Sequence, residues 1–145
     1  MRRMFTIATA AMLAVAGTVL VAQKVTSPAE LDAAMKKIGP AQGAVGKAIQ
    51  SSNFADAKAQ VAIVKQTLMD AENFWVVNKK DDAIAFSKDS IAKVTALEQA
   101  LSAPAPDQQA LLAALKTAGG TCGACHKTYR VQDENMQYIL KPGTI

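Results

Sequence analysis

The sequence has few of the side chains from which catalytic and metal sites are usually built. Its 145 residues include two cysteines and one histidine. These three residues, Cys122, Cys125 and His126, cannot complete a zinc site of four sulfur or nitrogen ligands. No nucleophile with a neighbouring base and no acid–base pair stands out along the chain. The sequence therefore predicts a protein that is not an enzyme.

Glycine and proline are confined to a few positions, and the chain shows little of the alternation that marks strands. After residue 22 it is instead rich in Ala, Lys, Gln and Leu, which favour helices. Four helices joined by short loops predict an all-α, antiparallel up-down-up-down four-helix bundle. The predicted helices and the polar, partly extended tail lie at about 28–49, 54–77, 82–101, 107–130 and 131–145.

Local signals mark the starts of these helices. Ser27 is a candidate N-cap for the first helix, with a proline at the first helical position and Glu30 in the first turn. Asn53 and Asp81 are candidate caps for the second and third helices. Within the first helix, Pro40 follows a glycine and lacks a backbone donor, so we expect a kink or a break there.

Long apolar runs are scarce as well. Only residues 5–22 form a nearly unbroken stretch of apolar or small residues, and no other stretch is long enough to span a bilayer. Two arginines precede this run, so residues 1–22 resemble an export signal. Cleavage after Ala22 would leave residues 23–145 as one domain. Because Leu20 stands where cleavage sites prefer a small residue, an uncleaved membrane anchor is the alternative.

What the sequence does contain is Cys122-Gly-Ala-Cys125-His126, the attachment motif of a c-type haem. The two thiols can add across the two vinyl groups of one haem as thioethers, and His126 supplies an axial nitrogen. The motif therefore predicts one covalently attached haem c. A haem-free redox dithiol or a disulfide between the cysteines is the alternative, although redox dithiols more often begin a helix beside a strand.

Apolar positions step by three and four along the predicted helices, which is the spacing of one helix face. In the fourth helix this face includes both cysteines, so an attached haem would lie within the bundle. The third helix carries a weaker pattern that Ser87 interrupts. The second-helix positions are Phe54, Ala57, Val61, Val64, Leu68, Ala71 and Trp75, and the fourth-helix positions are Leu111, Leu115, Ala118, Cys122, Cys125 and Tyr129.

The charge is spread over many lysines and amounts to a formal net +4. It would fall by two with removal of the signal, and two haem propionates would roughly cancel the rest. The charge is thus no argument for nucleic acid as a partner. Arg130 is the lone arginine of residues 23–145 and lies four residues after His126. We predict that it compensates a propionate or borders the proximal pocket, the alternative being a cation in the last turn of a helix.

These residues resemble the class II c-type cytochromes, the family of cytochrome c′ and cytochrome c-556. The resemblance spans essentially all of residues 23–145. Its hallmark is a haem motif near the C-terminus, followed here by Tyr129-Arg130. It implies a four-helix bundle with the haem on the last helix. It also implies that a homodimer through the first two helices is possible.

The family divides at one position of its first helix. An apolar residue there leaves the iron five-coordinate, whereas methionine completes six-coordinate ligation. The resemblance places Met35 at this position and implies that it is the distal ligand. Met69 and Met136 rank below it as ligands. One turn earlier the family often has an arginine that contacts a propionate, and here the residue is Leu31.

We therefore predict a periplasmic, monohaem c-type cytochrome that carries single electrons between redox partner proteins through a low-spin haem. His126 and Met35 are the expected iron ligands. A five-coordinate protein that binds nitric oxide or carbon monoxide is the first alternative, and a haem-free thiol redox protein is the second. Contact with a membrane is expected only if the signal segment stays uncleaved.

Overall fold

A computed structural model describes residues 24–145, and the predicted export signal lies outside them. Four helices are followed by a short antiparallel hairpin. None of the helices in this part of the chain has the length and apolarity that a bilayer crossing needs. The elements are α1 (Pro28–Gln50), α2 (Phe54–Val77), α3 (Asp81–Leu101), α4 (Gln108–Tyr129), β1 (Arg130–Gln132) and β2 (Tyr138–Leu140).

Each helix packs mainly against the next one along the chain. The first and last helices, α1 and α4, are also neighbours, but they pack together least. This arrangement confirms the predicted all-α four-helix bundle. The weak contact between α1 and α4 leaves space between them.

The predicted caps of α1 and α2 are present. The Ser27 hydroxyl accepts from the Glu30 backbone N–H at 3.3 Å, and the Glu30 carboxylate accepts from the Ser27 backbone N–H at 2.9 Å. The Asn53 side chain accepts from the backbone N–H of Asp56 at 3.2 Å. Each cap satisfies a donor that the helix leaves unpaired and contributes about 0.5–2 kcal/mol.

The structure differs from two local expectations. Asp81 does not cap α3, because the helix begins at Asp81 itself with Lys80 in the cap position and without a side-chain cap bond. The first helix is not broken at Pro40, which lies inside α1. Gly39 and Pro40 are both exposed, while Ile38 and Ala41 on either side are buried. The helix continues because Pro40, which lacks a backbone N–H, lies on the solvent-exposed side, and because Ile38 and Ala41 pack into the core.

Two hydrophobic clusters form the core, one toward each end of the bundle. At one end, α1 and α3 finish and α2 and α4 begin, and the buried side chains are aliphatic. At the other end, Phe74 and Trp75 of α2 pack with Leu31 of α1 and Val25. Ser87 interrupts the apolar pattern of α3 but is itself buried, since its hydroxyl donates to the Ala83 carbonyl at 3.0 Å. The predicted α2 face is buried in full, apart from Phe54, which is partly buried.

The tail is more ordered than the sequence predicts. Its two strands pair in antiparallel register, with Arg130 opposite Leu140 and Gln132 opposite Tyr138. The last helix therefore ends at Tyr129, and Arg130 belongs to β1 rather than to the end of the helix.

Candidate haem site

A cavity of about 760 Å³ opens between the first half of α1, the last turns of α4 and the hairpin. It lies where α1 and α4 pack least, and its volume is within the range of about 300–1,000 Å³ that is usual for ligand sites. The structure thus brings every predicted site residue to one place. The predicted residues that line the cavity are Met35, Cys122, Cys125, His126 and Arg130.

The two cysteines are free, partly buried thiols one turn apart on α4. Burial raises the pKa of Cys122. Burial, followed by the charges of Cys122 and Asp82, raises the pKa of Cys125 to about 11. Both thiols are therefore protonated at neutral pH, whereas a redox dithiol needs a lowered pKa. The environment disfavours the thiol redox alternative.

A buried pair of hydroxyls fixes α4 just before the cysteines. The oxygens of Ser90 on α3 and Thr121 on α4 lie 2.7 Å apart, and Thr121 is also 2.8 Å from the carbonyl oxygen of Ala118. This contact holds the helix that carries the thiols against its neighbour. The sequence did not predict this contact, although both hydroxyls stand at helical spacing from core positions of their own helices.

The imidazole of His126 is half-buried in the last turn of α4. Burial lowers its pKa, and the positive charge of Arg130 lowers it further. The ring is therefore neutral at neutral pH, which leaves one nitrogen with a lone pair for a metal.

The position of Arg130 differs from the prediction. Arg130 does not share a helical face with His126, because it is extended and starts β1. Its backbone N–H still donates to the carbonyl oxygen of His126, and its guanidinium carbon lies 3.9 Å from the centre of the Tyr138 ring. The cation stays at the cavity although the helix has ended.

The three methionines proposed as ligands are placed differently. Met35 is partly buried, packs against both hydrophobic clusters and lines the cavity. Met69 is 44% exposed, and the cavity is lined without it. Met136 lines the cavity but lies in the turn of the hairpin with its side chain mostly exposed. Of the two methionines that compete with Met35, only Met136 is placed where it could be a ligand.

Aromatic side chains form one wall of the cavity. The rings of Trp75 on α2 and Tyr129 on α4 have their centres 4.9 Å apart. The Tyr129 hydroxyl donates to the carboxylate of Asp82 on α3. Burial and this carboxylate raise the pKa of Tyr129 to about 12, and the hydrogen bond lowers the pKa of Asp82. Three helices are thereby joined beside the cysteines.

A metal ion bound by the two thiols would need further ligands. Within residues 24–145, no group of three or more His, Cys, Asp or Glu side chains could hold a metal ion. The cavity instead offers two thiols, one imidazole and the thioethers of Met35 and Met136 around an apolar space. Two thiols and an imidazole are the groups that hold a covalently attached haem.

Comparison with known proteins agrees with this chemistry. Cytochrome c-556 of Agrobacterium tumefaciens (strain apple 185) is 35% identical over 115 residues, which cover 70% of this chain and 92% of the relative. No family model matches the chain. No solved structure matches it either. The relative belongs to the family that the haem motif, Tyr129-Arg130 and Met35 predict, and the chain is therefore a member of the class II c-type cytochromes.

Proposed function

We propose that this protein is a periplasmic monohaem cytochrome that carries single electrons through a His/Met-ligated haem. Membership of the family supports an electron carrier with covalently bound haem c rather than an enzyme. The finer proposal rests on one observation. A single cavity is lined by Cys122, Cys125, His126 and Met35.

The two cysteines hold the cofactor. Cys122 and Cys125 are three residues apart on α4 and therefore lie on neighbouring positions of one helix face. Each cysteine would hold the haem through one thioether, formed by addition of S–H across a vinyl group, which would need no oxidant.

His126 and Met35 hold the iron from different helices. When bound, haem supplies the one-electron Fe(III)/Fe(II) couple. His126 offers a neutral nitrogen from α4, and Met35 offers a thioether from α1. A methionine ligand favours Fe(II) and raises the reduction potential. Because both side chains are anchored in packed helices, little rearrangement is needed when the charge of the site changes.

The rest of the cavity limits water. Leu31 and Ile38 of α1 and Leu68 and Trp75 of α2 are buried and line it. The hydrophobic shell around a metal site controls solvent access and tunes its potential. The hairpin covers another side of the cavity, because Leu140 packs against the hydrophobic cluster that contains Phe74 and Trp75. The cavity is therefore open over only part of its surface.

Absorption spectra of the oxidised and reduced protein, expressed with the haem-attachment machinery, test this proposal. We expect a low-spin spectrum in both states that becomes high-spin in the oxidised Met35→Leu variant. The matched control is Met136→Leu, which should stay low-spin. A high-spin spectrum of Met136→Leu with an unchanged Met35→Leu would make Met136 the ligand instead.

Two results would contradict the proposal outright. A high-spin spectrum of the unmodified protein, with ready binding of nitric oxide or carbon monoxide, would support the gas-binding alternative. A colourless protein with a disulfide between Cys122 and Cys125 would support the thiol redox alternative.

Export and assembly are part of the same proposal. Mass spectrometry of protein recovered from the periplasm should give a chain that begins at Gln23. A full-length chain in the membrane fraction would instead indicate an uncleaved anchor. We expect partners to be redox proteins rather than nucleic acids. Sedimentation of the holoprotein over a range of concentrations tests the possible homodimer.

A further inference from the structure

The guanidinium of Arg130 is held by an aromatic ring of the hairpin. Arg130 lies opposite Leu140, and Tyr138 lies opposite Gln132, so Arg130 and Tyr138 are diagonal neighbours on one face of the hairpin. The guanidinium carbon is 3.9 Å from the ring centre. Among residues 24–145, the ion pairs join lysines to carboxylates and none includes Arg130. The ring is thus the contact that fixes this cation.

The hairpin is anchored firmly enough to serve as a support. After β2, the backbone N–H of Lys141 donates to the Tyr129 carbonyl at 2.9 Å, and the Lys141 ammonium donates to the Lys127 carbonyl at 2.8 Å. In the turn, the Asp133 carboxylate accepts from the backbone N–H groups of Asn135 and Gln137. Both ends of the hairpin are therefore tied, and the half-exposed ring of Tyr138 has a fixed place.

Arg130 is also tied to the candidate iron ligand. Its backbone N–H donates to the carbonyl of His126, and the two residues line the same cavity. A positive charge beside an iron site disfavours the more positive Fe(III) form and so raises the reduction potential. We infer that Tyr138 is a positioning residue, which keeps the guanidinium of Arg130 beside the haem site and thereby raises the potential. This inference rests on the proposed function.

The expected effect follows from the strength of the contact. Loss of a ring–cation contact at an exposed site lowers the ratio of held to released conformations by about two- to five-fold. At a fixed ambient potential near the midpoint, the ratio of reduced to oxidised Tyr138→Leu holoprotein should then fall by about two-fold. That change corresponds to a potential lower by about 18 mV, since a tenfold change is 59 mV for one electron.

Spectroelectrochemical titration of the holoprotein tests the inference. Tyr138→Phe keeps the ring and should keep the potential, whereas Tyr138→Leu should lower it. In an Arg130→Gln background, Tyr138→Leu should cause no further shift, because there is no cation left to position. An unchanged potential in Tyr138→Leu would overturn the inference. A shift that persists in the Arg130→Gln background would also overturn it, since better access of water to the cavity would then be the cause.

The contact has its own readout in the reduced, low-spin holoprotein. The ring current of Tyr138 should move the side-chain proton signals of Arg130 upfield, and this displacement should be lost in Tyr138→Leu but kept in Tyr138→Phe. Signals that do not respond to Tyr138→Leu would show that the ring does not hold the cation. Failure of the proposed function is distinguishable, because it appears in the unmodified protein as missing haem or a high-spin spectrum.

Discussion

The two ends of the bundle are built for different purposes. At the aliphatic end, Ile49, Leu97, Leu101 and Leu111 from three helices are at most 1% exposed. At the cavity end, Met35, Cys125 and Tyr129 remain only partly buried around open space. Tight packing at one end lets the helices separate at the other, where a cofactor can enter without unfolding the bundle.

The two ends are also closed by different means. At the aliphatic end, the Gln108 side chain at the start of α4 donates to the carbonyls of Ile49 and Gln50, each at 2.8 Å. These bonds satisfy the last carbonyls of α1 and join the first and last helices directly. At the cavity end the side chain of Gln42 on α1 instead contacts the Cys122 thiol on α4. There the hairpin and the Tyr129–Asp82 bond close the structure.

The largest effect on stability is expected at the aliphatic end. Leu97→Ala should lower the free energy of unfolding by about 2–5 kcal/mol, because it leaves a cavity among fully buried neighbours. Denaturant unfolding of the holoprotein measures the loss, and the absorption spectrum should stay unchanged. Val76→Ala, at an exposed position of α2, is the control and should change stability by less than about 0.5 kcal/mol. A changed spin state in Leu97→Ala would contradict the separation of the two ends.

The opposite result is expected at the cavity end. Met35→Leu conserves volume and should change the free energy of unfolding by less than about 1.5 kcal/mol. Measured on haem-loaded protein by the same denaturant titration, this small loss should accompany the change of spin state expected above. A loss as large as that of Leu97→Ala without a change of spin state would mean that Met35 is a core side chain rather than a ligand.

A smaller effect is expected where the two ends meet. Ser90→Ala removes a hydroxyl that pairs with Thr121 and also donates to the Phe86 carbonyl of its own helix, and it should cost about 1 kcal/mol or more. Thr117→Ala is the matched control on α4, since its exposed hydroxyl bonds only the Ala113 carbonyl of its own helix. Thermal unfolding of both variants checks the difference. Equal losses would show that the buried pair contributes nothing beyond a local bond.

The smallest effect is a dependence on pH at the cavity end. The lowered pKa of Asp82 adds stability above about pH 4 that is lost as the pH falls further. The raised pKa of Tyr129, about 12, adds stability below about pH 10 that is lost as the pH rises toward 12. The difference in Tm between the unmodified protein and Tyr129→Phe should therefore be constant near neutral pH and shrink at both extremes.

The control for this pH dependence is Asp81→Asn, which alters a neighbouring carboxylate without the bond to the tyrosine. Its Tm difference from the unmodified protein should not shrink at both acid and alkaline pH. A Tyr129→Phe difference that stays constant from acid to alkaline pH would show that the Tyr129–Asp82 bond adds no stability.

Helix periodicity and the haem motif predict much of this structure, because both are local in sequence. Steps of three and four residues identify the buried face of α2, and the motif names Cys122, Cys125 and His126, whereas Met35 follows only from the family resemblance. The hairpin escapes prediction because its strands are short and its side chains largely exposed, so they show no alternation of burial. The contact between Ser90 and Thr121 is not predictable from the sequence either, since it depends on how α3 and α4 are aligned.

The direct passage from α4 into β1 limits how the cavity can open. No loop separates Tyr129 from Arg130, and the first strand residue still shares a backbone hydrogen bond with His126. The hairpin therefore cannot swing outward as a hinged unit, because this movement would unwind the helical turn that carries His126, the candidate iron ligand. We therefore expect the cavity to open more readily where α1 and α4 pack least than at the hairpin.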